Sequence, residues 1–176
     1  MLMMVTGLPG AGKSTLCQKI LTALHWKAGG FCTLPVIHEG KRIGFDMFPV
    51  EKGKRITPGI PMARFKGNGE LVIDQDAFSL VGVRAIERSI KHKSDCILMD
   101  EIGRFEKDNR AFLNTVWAAV VQKEIPVLVV LKKEDLTFNL KVWNLEEGLH
   151  IDLDLLDREE AYNRALNYFA RGRRKP

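Results

Sequence analysis

The chain opens on an unbroken apolar run, "LMMVT" at residues 2–6, with no alternation of polar and apolar positions. A run of this kind fits a strand buried on both faces of a sheet. From Lys13 to about Lys27 the spacing changes. Leu16, Ile20 and Leu24 recur at four-residue steps, which predicts a helix, and "AGG" at 28–30 supplies its stop. "FCTLPVI" and "KRIGFDMFPV" read as two β segments joined through "HEG", a hairpin with a glycine turn. Residues 52–69 hold four glycines and two prolines and read as an excursion from the main layers.

A second helix is predicted over "DQDAFSLVGVRAIERSIKH", with Leu80, Val83, Ile86 and Ile90 on one side. "CILMD" (96–100) and "PVLVVL" (126–131) repeat the buried-strand pattern, with a helix over roughly 109–123 between them. "LHIDL" (149–153) makes a last strand. Asp157 then offers an N-cap, with Glu160 three residues later, to a closing helix built on Ala161, Ala165, Leu166 and Phe169. Strands alternating with helices predict an α/β fold: a mainly parallel sheet with helices on both faces and a β-hairpin excursion after the first helix. No repeat or linker interrupts the pattern, so residues 1–176 are expected to form a single domain.

Composition narrows the classes. With 176 residues, 45% hydrophobic and 28% charged, the chain matches an ordinary globular protein. Its longest apolar runs, "WAAVV" and "IPVLVVL", are too short to span a bilayer, so no membrane partner is expected. Gly7 leaves no room for a leader segment, and the cytoplasm is the expected location. Cys17, Cys32 and Cys96 form no C-x-x-C pair, and the four histidines have no metal-ligand spacing, so buried thiols in a reducing compartment are expected. The net charge of +5 sits in two places. Residues 38–66 carry seven basic side chains against three acidic ones, and the tail "RGRRKP" (171–176) adds four more basic groups. The tail is expected to be flexible and solvated. The basic excursion could fold over bound phosphates, with Arg42 the first residue to consider, although most of its charges read as solvated surface. A monomer is expected.

Candidate chemistry begins at "GLPGAGKST". It fits G-x-x-x-x-G-K-[ST] at Gly7, Gly12, Lys13 and Ser14, between a buried strand and an amphipathic helix. Gly7, Leu8, Pro9, Gly10, Ala11, Gly12, Lys13, Ser14 and Thr15 are the predicted phosphate cradle, in which backbone N–H groups and a helix N-terminus face a nucleoside triphosphate. Lys13 is expected to reach the outer phosphates, and the Ser14 hydroxyl to ligate Mg²⁺. "CILMDE" adds Asp100 at the carboxyl end of a buried strand, suited to holding Mg²⁺ directly or through water. Glu101 follows, where it could orient and deprotonate an attacking water. Alternation along the strand is expected to point these two carboxylates in different directions.

These residues resemble the small nucleoside-triphosphatases first described from thermophiles, a family with a human cancer-related relative. The resemblance rests on "GLPGAGKSTL", on "GGFCT" leading into "EGKRIGFD", and on "ILMDEIGRFE", and continues more weakly through "AFLNTV" and "PVLVVL". It implies Mg²⁺-dependent hydrolysis of several NTPs to NDP and phosphate, on a P-loop fold with a glutamate beside the magnesium aspartate. Two departures stand out. The family's usual Glu-Val-Arg is replaced by Pro35, Val36 and Ile37, and its lysine and methionine by Arg104 and Phe105. Arg104 keeps a positive charge three residues past Glu101, where it could stabilise phosphoryl charge or simply pair with Glu106 or Asp108.

Three alternatives remain at this level. "DEIG" also fits the D-x-x-G of a GTPase, with Thr33 as a magnesium-sensing threonine and Lys133-x-Asp135 as a partial guanine reader, though Lys132 replaces the usual asparagine. A nucleotide or nucleoside kinase would use the excursion as a lid, with Arg55 and Arg64 on phosphates and Asp46 as base. An ATP-dependent nucleic-acid-binding protein would explain the basic tail, although no aromatic platform accompanies it.

Overall fold

In the computed structural model, which describes residues 1–103, 105–133 and 148–172, the first apolar run becomes β1 (Leu2–Thr6), buried along its whole length. Its side chains serve two cores. Leu2 and Met4 enter one, Met3 and Val5 the other, so the strand shows no polar face. β1 pairs in parallel with two further strands, assigned here as β8 (Val127–Leu131) and β9 (Leu149–Asp152). β8 continues in parallel to β7 (Ile97–Ile102), and β7 to β2 (Gly29–His38). Beyond β2 the sheet turns antiparallel through β3 (Lys41–Glu51), β5 (Ile60–Phe65) and β6 (Leu71–Ile73), with the short β4 (Lys54–Arg55) beside β3. The order is β6-β5-β3-β2-β7-β8-β1-β9 in one sheet of nine strands.

Helices cover both faces. On one, α1 (Lys13–Ala23) and α4 (Arg158–Gly172) contribute Cys17, Ile20, Ala161, Ala165 and Phe169. On the other lie a π-helical segment (Phe78–Val83), α2 (Arg84–Lys91) and α3 (Arg110–Val121). Phe112 anchors that side, its ring 5.6 Å from Phe31 and 5.3 Å from Phe78. Truncating a fully buried ring of this kind costs about 3–5 kcal/mol. Asp157 caps α4 as its spacing predicts, accepting from the N–H groups of Glu159 at 2.8 Å and Glu160 at 2.9 Å.

Four expectations change. First, α1 ends at Ala23, not near Lys27, and "AGG" is not its stop. Gly29 and Gly30 lie buried inside β2. A Cβ on Gly30 would stand 2.0 Å from the Leu98 carbonyl oxygen, and its φ of +112° favours glycine, so close strand approach explains the pair. Second, the 52–69 excursion is not detached from the layers. Lys52 and Gly53, with φ of 51° and 76°, make a tight hairpin turn, and β5 extends the same sheet. Third, the π-helical segment shifts the helical phase over 78–83. Leu80 is 44% exposed, while Phe78, Val81, Ala85 and Ile86 are buried. Fourth, the basic tail starts later than expected. Arg171 and Gly172 belong to α4, where a Cβ on Gly172 would meet the Met1 sulfur at 1.9 Å; residues 173–176 lie outside the described residues.

The hairpin of β2 and β3 matches its prediction. Glu39 and Gly40, both with positive φ, form its turn, and its register runs from Gly30–Val50 to His38–Lys41. The pairing of β2 with β7 stops at Cys32–Asp100. Residues 33–46 therefore project past the carboxyl end of the parallel strands, the end at which such sheets bind ligands.

Candidate functional site

β1 leads directly into the glycine-rich loop and α1. Gly12 is the N-cap of α1, with φ of 100°. A left-handed N-cap without a side chain leaves the first N–H groups of the helix unmasked, and the helix dipole makes that end favourable to anions. Lys13 is only 8% exposed. Its Nζ donates to the carbonyls of Gly7 at 2.9 Å and Leu8 at 3.3 Å, and lies 3.6 Å from Glu101 Oε2. Leu8, Pro9 and Gly10 form the exposed rim of the loop, with Ala11 half-buried and Ser14 and Thr15 exposed at the start of α1.

The loop is tied from behind by two carboxylates that sequence reasoning passed over, Asp152 and Asp154, and by Lys133, which it had read only as part of a guanine reader. Asp154 Oδ1 accepts from the Leu8 N–H at 3.0 Å. Lys133 Nζ lies 2.7 Å from Asp154 and 3.0 Å from Asp152. The Lys133 ammonium and the Leu8 N–H hold the Asp154 carboxyl below its usual range, while Asp154 and Asp152 push Lys133 up. A signal was present: Asp152 and Asp154 stand at the carboxyl end of the predicted last strand, "LHIDL".

Asp100 and Glu101 come together through a β-bulge. Asp100 pairs with Val130, but the next pair is Ile102 with Leu131, so Glu101 is the extra residue. Met99 and Ile102 both enter the core beneath α2 and α3. The two carboxylates between them are thus both free to reach the P-loop side, and the expected divergence of Asp100 and Glu101 does not occur. Asp100 is 8% exposed and lies beside the Ser14 hydroxyl. Burial pushes its carboxyl up to about 6; the Ser14 hydroxyl opposes the shift, the Glu101 charge adds to it, and Lys13 opposes it. Two neighbouring hard oxygen donors, one of them a buried carboxylate, suit Mg²⁺. Cys32, opposite Asp100 in the register, is pushed up to about 11 by burial and by the Asp100 charge.

The loop after β7 has its own anchor. Glu106 is 2% exposed and accepts from the Gly103 N–H at 3.0 Å. It is therefore a buried carboxylate, not a solvated loop residue. Arg104 itself lies outside the described residues. Glu106 closes the "DEIGRFE" string, the one hint of its role in the sequence.

Residues invoked by the alternatives are placed elsewhere or engaged. Thr33 follows Cys32 in β2 and shares the face of Phe31, away from Asp100. Lys133 is held by Asp152 and Asp154, and Asp135 lies outside the described residues. Asp46 is locked to Arg64 at 2.5 Å, and Arg64 also donates to the carbonyls of Phe45 and Ala63. Arg42 stacks over Phe45 at 5.3 Å and Arg55 over Phe48 at 5.0 Å. Among the described residues, no helix is long and apolar enough to cross a membrane.

A glycine-rich loop between a buried parallel strand and a helix, with its lysine beside a carboxylate pair on a nearby strand, defines a P-loop NTPase. A family model described as NTPase matches residues 2–166, and the chain belongs to that family. Nucleoside-triphosphatase THEP1 of Thermotoga sp. (strain RQ2) is 31% identical over 177 residues, covering 99% of this chain and 100% of that protein. THEP1 of Methanocaldococcus jannaschii is 30% identical, covering 96% of each. The crystal structure of THEP1 from Aquifex aeolicus superposes with a TM-score of 0.73 at 23% identity, covering 96% of this chain and 98% of that one. The solution structure of a human cancer-related nucleoside triphosphatase gives 0.67 at 21% identity, covering 98% of this chain and 96% of that one.

Proposed function

We propose that this chain is a Mg²⁺-dependent nucleoside-triphosphatase that hydrolyses ATP, GTP and other NTPs to NDP and phosphate. The observation that carries the reading is the bulge in β7, which sets Glu101 3.6 Å from Lys13 while Asp100 lies beside the Ser14 hydroxyl. The backbone of Gly7–Thr15 cradles the phosphates, and Lys13 exchanges the Gly7 and Leu8 carbonyls for outer phosphate oxygens. Glu101 accepts a proton from water as the water oxygen bonds to the terminal phosphorus. The bond from that phosphorus to the bridging oxygen breaks, and its electron pair leaves with the NDP. Glu101, 34% exposed, can return its proton to solvent. A positioned base of this kind contributes about 10²–10⁴-fold. Ser14 and Asp100 would hold Mg²⁺, which would supply positive charge to the phosphate oxygens. A contribution from Arg104 to the terminal phosphoryl group belongs to the same proposal, as do monomeric action and a cytoplasmic location.

Turnover of ATP, GTP, CTP and UTP with Mg²⁺, run with and without nucleoside acceptors, tests the reading. Inorganic phosphate should appear at the same rate in both arms. Lys13→Ala should lose NTP binding and turnover while keeping its circular dichroism. Phosphate recovered on an acceptor, or unchanged NTP affinity in folded Lys13→Ala, would overturn it.

A further inference from the structure

A groove of about 700 Å³ runs between α1 and α4, lined by Thr15, Gln18, Lys19 and Thr22 on one wall and by Arg158 and Tyr162 on the other. Its size suits a small organic ligand. It adjoins the phosphate cradle: a methyl group on Gly12 would lie 3.7 Å from Arg158 Nε and 3.8 Å from its Cζ. We propose that this groove receives the nucleoside half of the bound NTP, and that the Arg158 guanidinium holds it there.

Strand order sets the direction. β1 lies between β8 and β9, and β7 lies beyond β8. Asp100 and Glu101 approach the cradle from the β7 side, so the reacting phosphate lies toward that side. Arg158 opens the helix that follows β9, on the opposite flank. A triphosphate with its terminal group at Lys13 and Glu101 must lead its nucleoside out past Gly12 and Thr15, into the groove.

The lining chemistry selects the nucleoside over another phosphate. Among the described residues, the Arg158 guanidinium has no hydrogen-bond or ion-pair partner, in contrast to Arg64, Arg88 and Arg164. A planar guanidinium stacks on an aromatic base as an ammonium does not. The Thr22 hydroxyl donates to the Gln18 carbonyl of its own helix at 2.9 Å. Glu159, also on the wall, brings a carboxylate. That carboxylate suits sugar hydroxyls as an acceptor.

The inference rests on the P-loop reading, and equilibrium binding separates the two. Mg²⁺–ATP and Mg²⁺–tripolyphosphate serve as probes against the wild-type chain, Arg158→Ala, Arg158→Lys and the groove-filling Thr22→Phe. Arg158→Ala should weaken ATP about tenfold, the scale of losing one stacking partner, and leave tripolyphosphate unchanged. Arg158→Lys should not restore ATP affinity, and Thr22→Phe should weaken ATP alone. Equal losses for ATP and tripolyphosphate, or rescue by lysine, would make Arg158 a phosphate contact and overturn the inference. So would unchanged ATP affinity in both Arg158→Ala and Thr22→Phe. Those three results leave the P-loop reading standing. A wild-type chain that binds neither probe overturns both.

Discussion

Glu101→Gln tests the hydrolytic reading most sharply, because its two consequences have opposite signs. The substitution keeps size and hydrogen-bonding capacity but removes the charge and the basic oxygen. Glu101 Oε2 lies 3.6 Å from Lys13 Nζ, with Lys13 8% and Glu101 34% exposed. Over that distance, with one partner open to solvent, the pair is worth about 1 kcal/mol. Removing it frees Lys13 for phosphate oxygens, so NTP affinity should stay level or tighten by up to about fivefold. Turnover should move the other way. Without a base for the attacking water kcat should fall about 10²-fold or more, close to 3 kcal/mol of barrier. The variant should therefore hold intact NTP. Single-turnover hydrolysis alongside equilibrium NTP binding reads both effects in one preparation. Near-normal hydrolysis would mean that another group handles the water. A matched loss of affinity and rate would make Glu101 a phosphate-site scaffold, and transfer to a nucleoside acceptor spared by the substitution would favour a kinase.

Further outcomes follow from neighbouring groups. Asp100→Asn should weaken Mg²⁺-dependent NTP binding while metal-free thermal stability holds or rises, because a buried carboxylate is neutralised; unchanged Mg²⁺ dependence would remove Asp100 from the metal site. Glu106→Ala should cost at least about 2 kcal/mol in urea unfolding through the lost charge-assisted bond to Gly103, and Glu106→Gln roughly half of that. Equal costs would mean that the charge contributes nothing. With Cys32 pushed up to about 11 and Cys17 and Cys96 also raised by burial, thiolate should be scarce at pH 8. A disulfide-exchange dye should then react slowly with the folded chain and promptly with all three thiols in denaturant; fast labelling of the folded chain would contradict that burial.

The parts that could be read in advance depend on short stretches of chain. "GLPGAGKST" is contiguous, and its loop conformation follows from glycines within it. β1, β7 and β8 announce themselves because a strand buried on both faces needs no polar positions. What escaped depends on relations between segments. The π-helical phase shift over 78–83 leaves the apolar count unchanged, so Leu80 looks as internal as Ile86. β5 hides among glycines and prolines because its partner, β3, supplies the pattern that orders it. The bulge at Glu101 is a mismatch of register between β7 and β8, and neither strand carries it alone.

The same reasoning explains why the anchoring carboxylates were harder to find than the two proposed to act on metal and water. Asp100 and Glu101 sit at the end of an apolar strand, a position that marks them. Asp154 and Glu106 sit in loops, where acidic residues are ordinarily solvated. Each nevertheless accepts a backbone N–H from a loop at the proposed site: Leu8 in the cradle for Asp154, and Gly103 after the carboxylate pair for Glu106. A backbone donor leaves no complementary residue type for a reader to match, so only proximity reveals the bond. Catalysis by positioning depends on such bonds, because a shift of about 1 Å in a reacting group can cost about 10²-fold. The precision of this site therefore rests on two carboxylates that touch neither phosphate nor water in the proposed reaction.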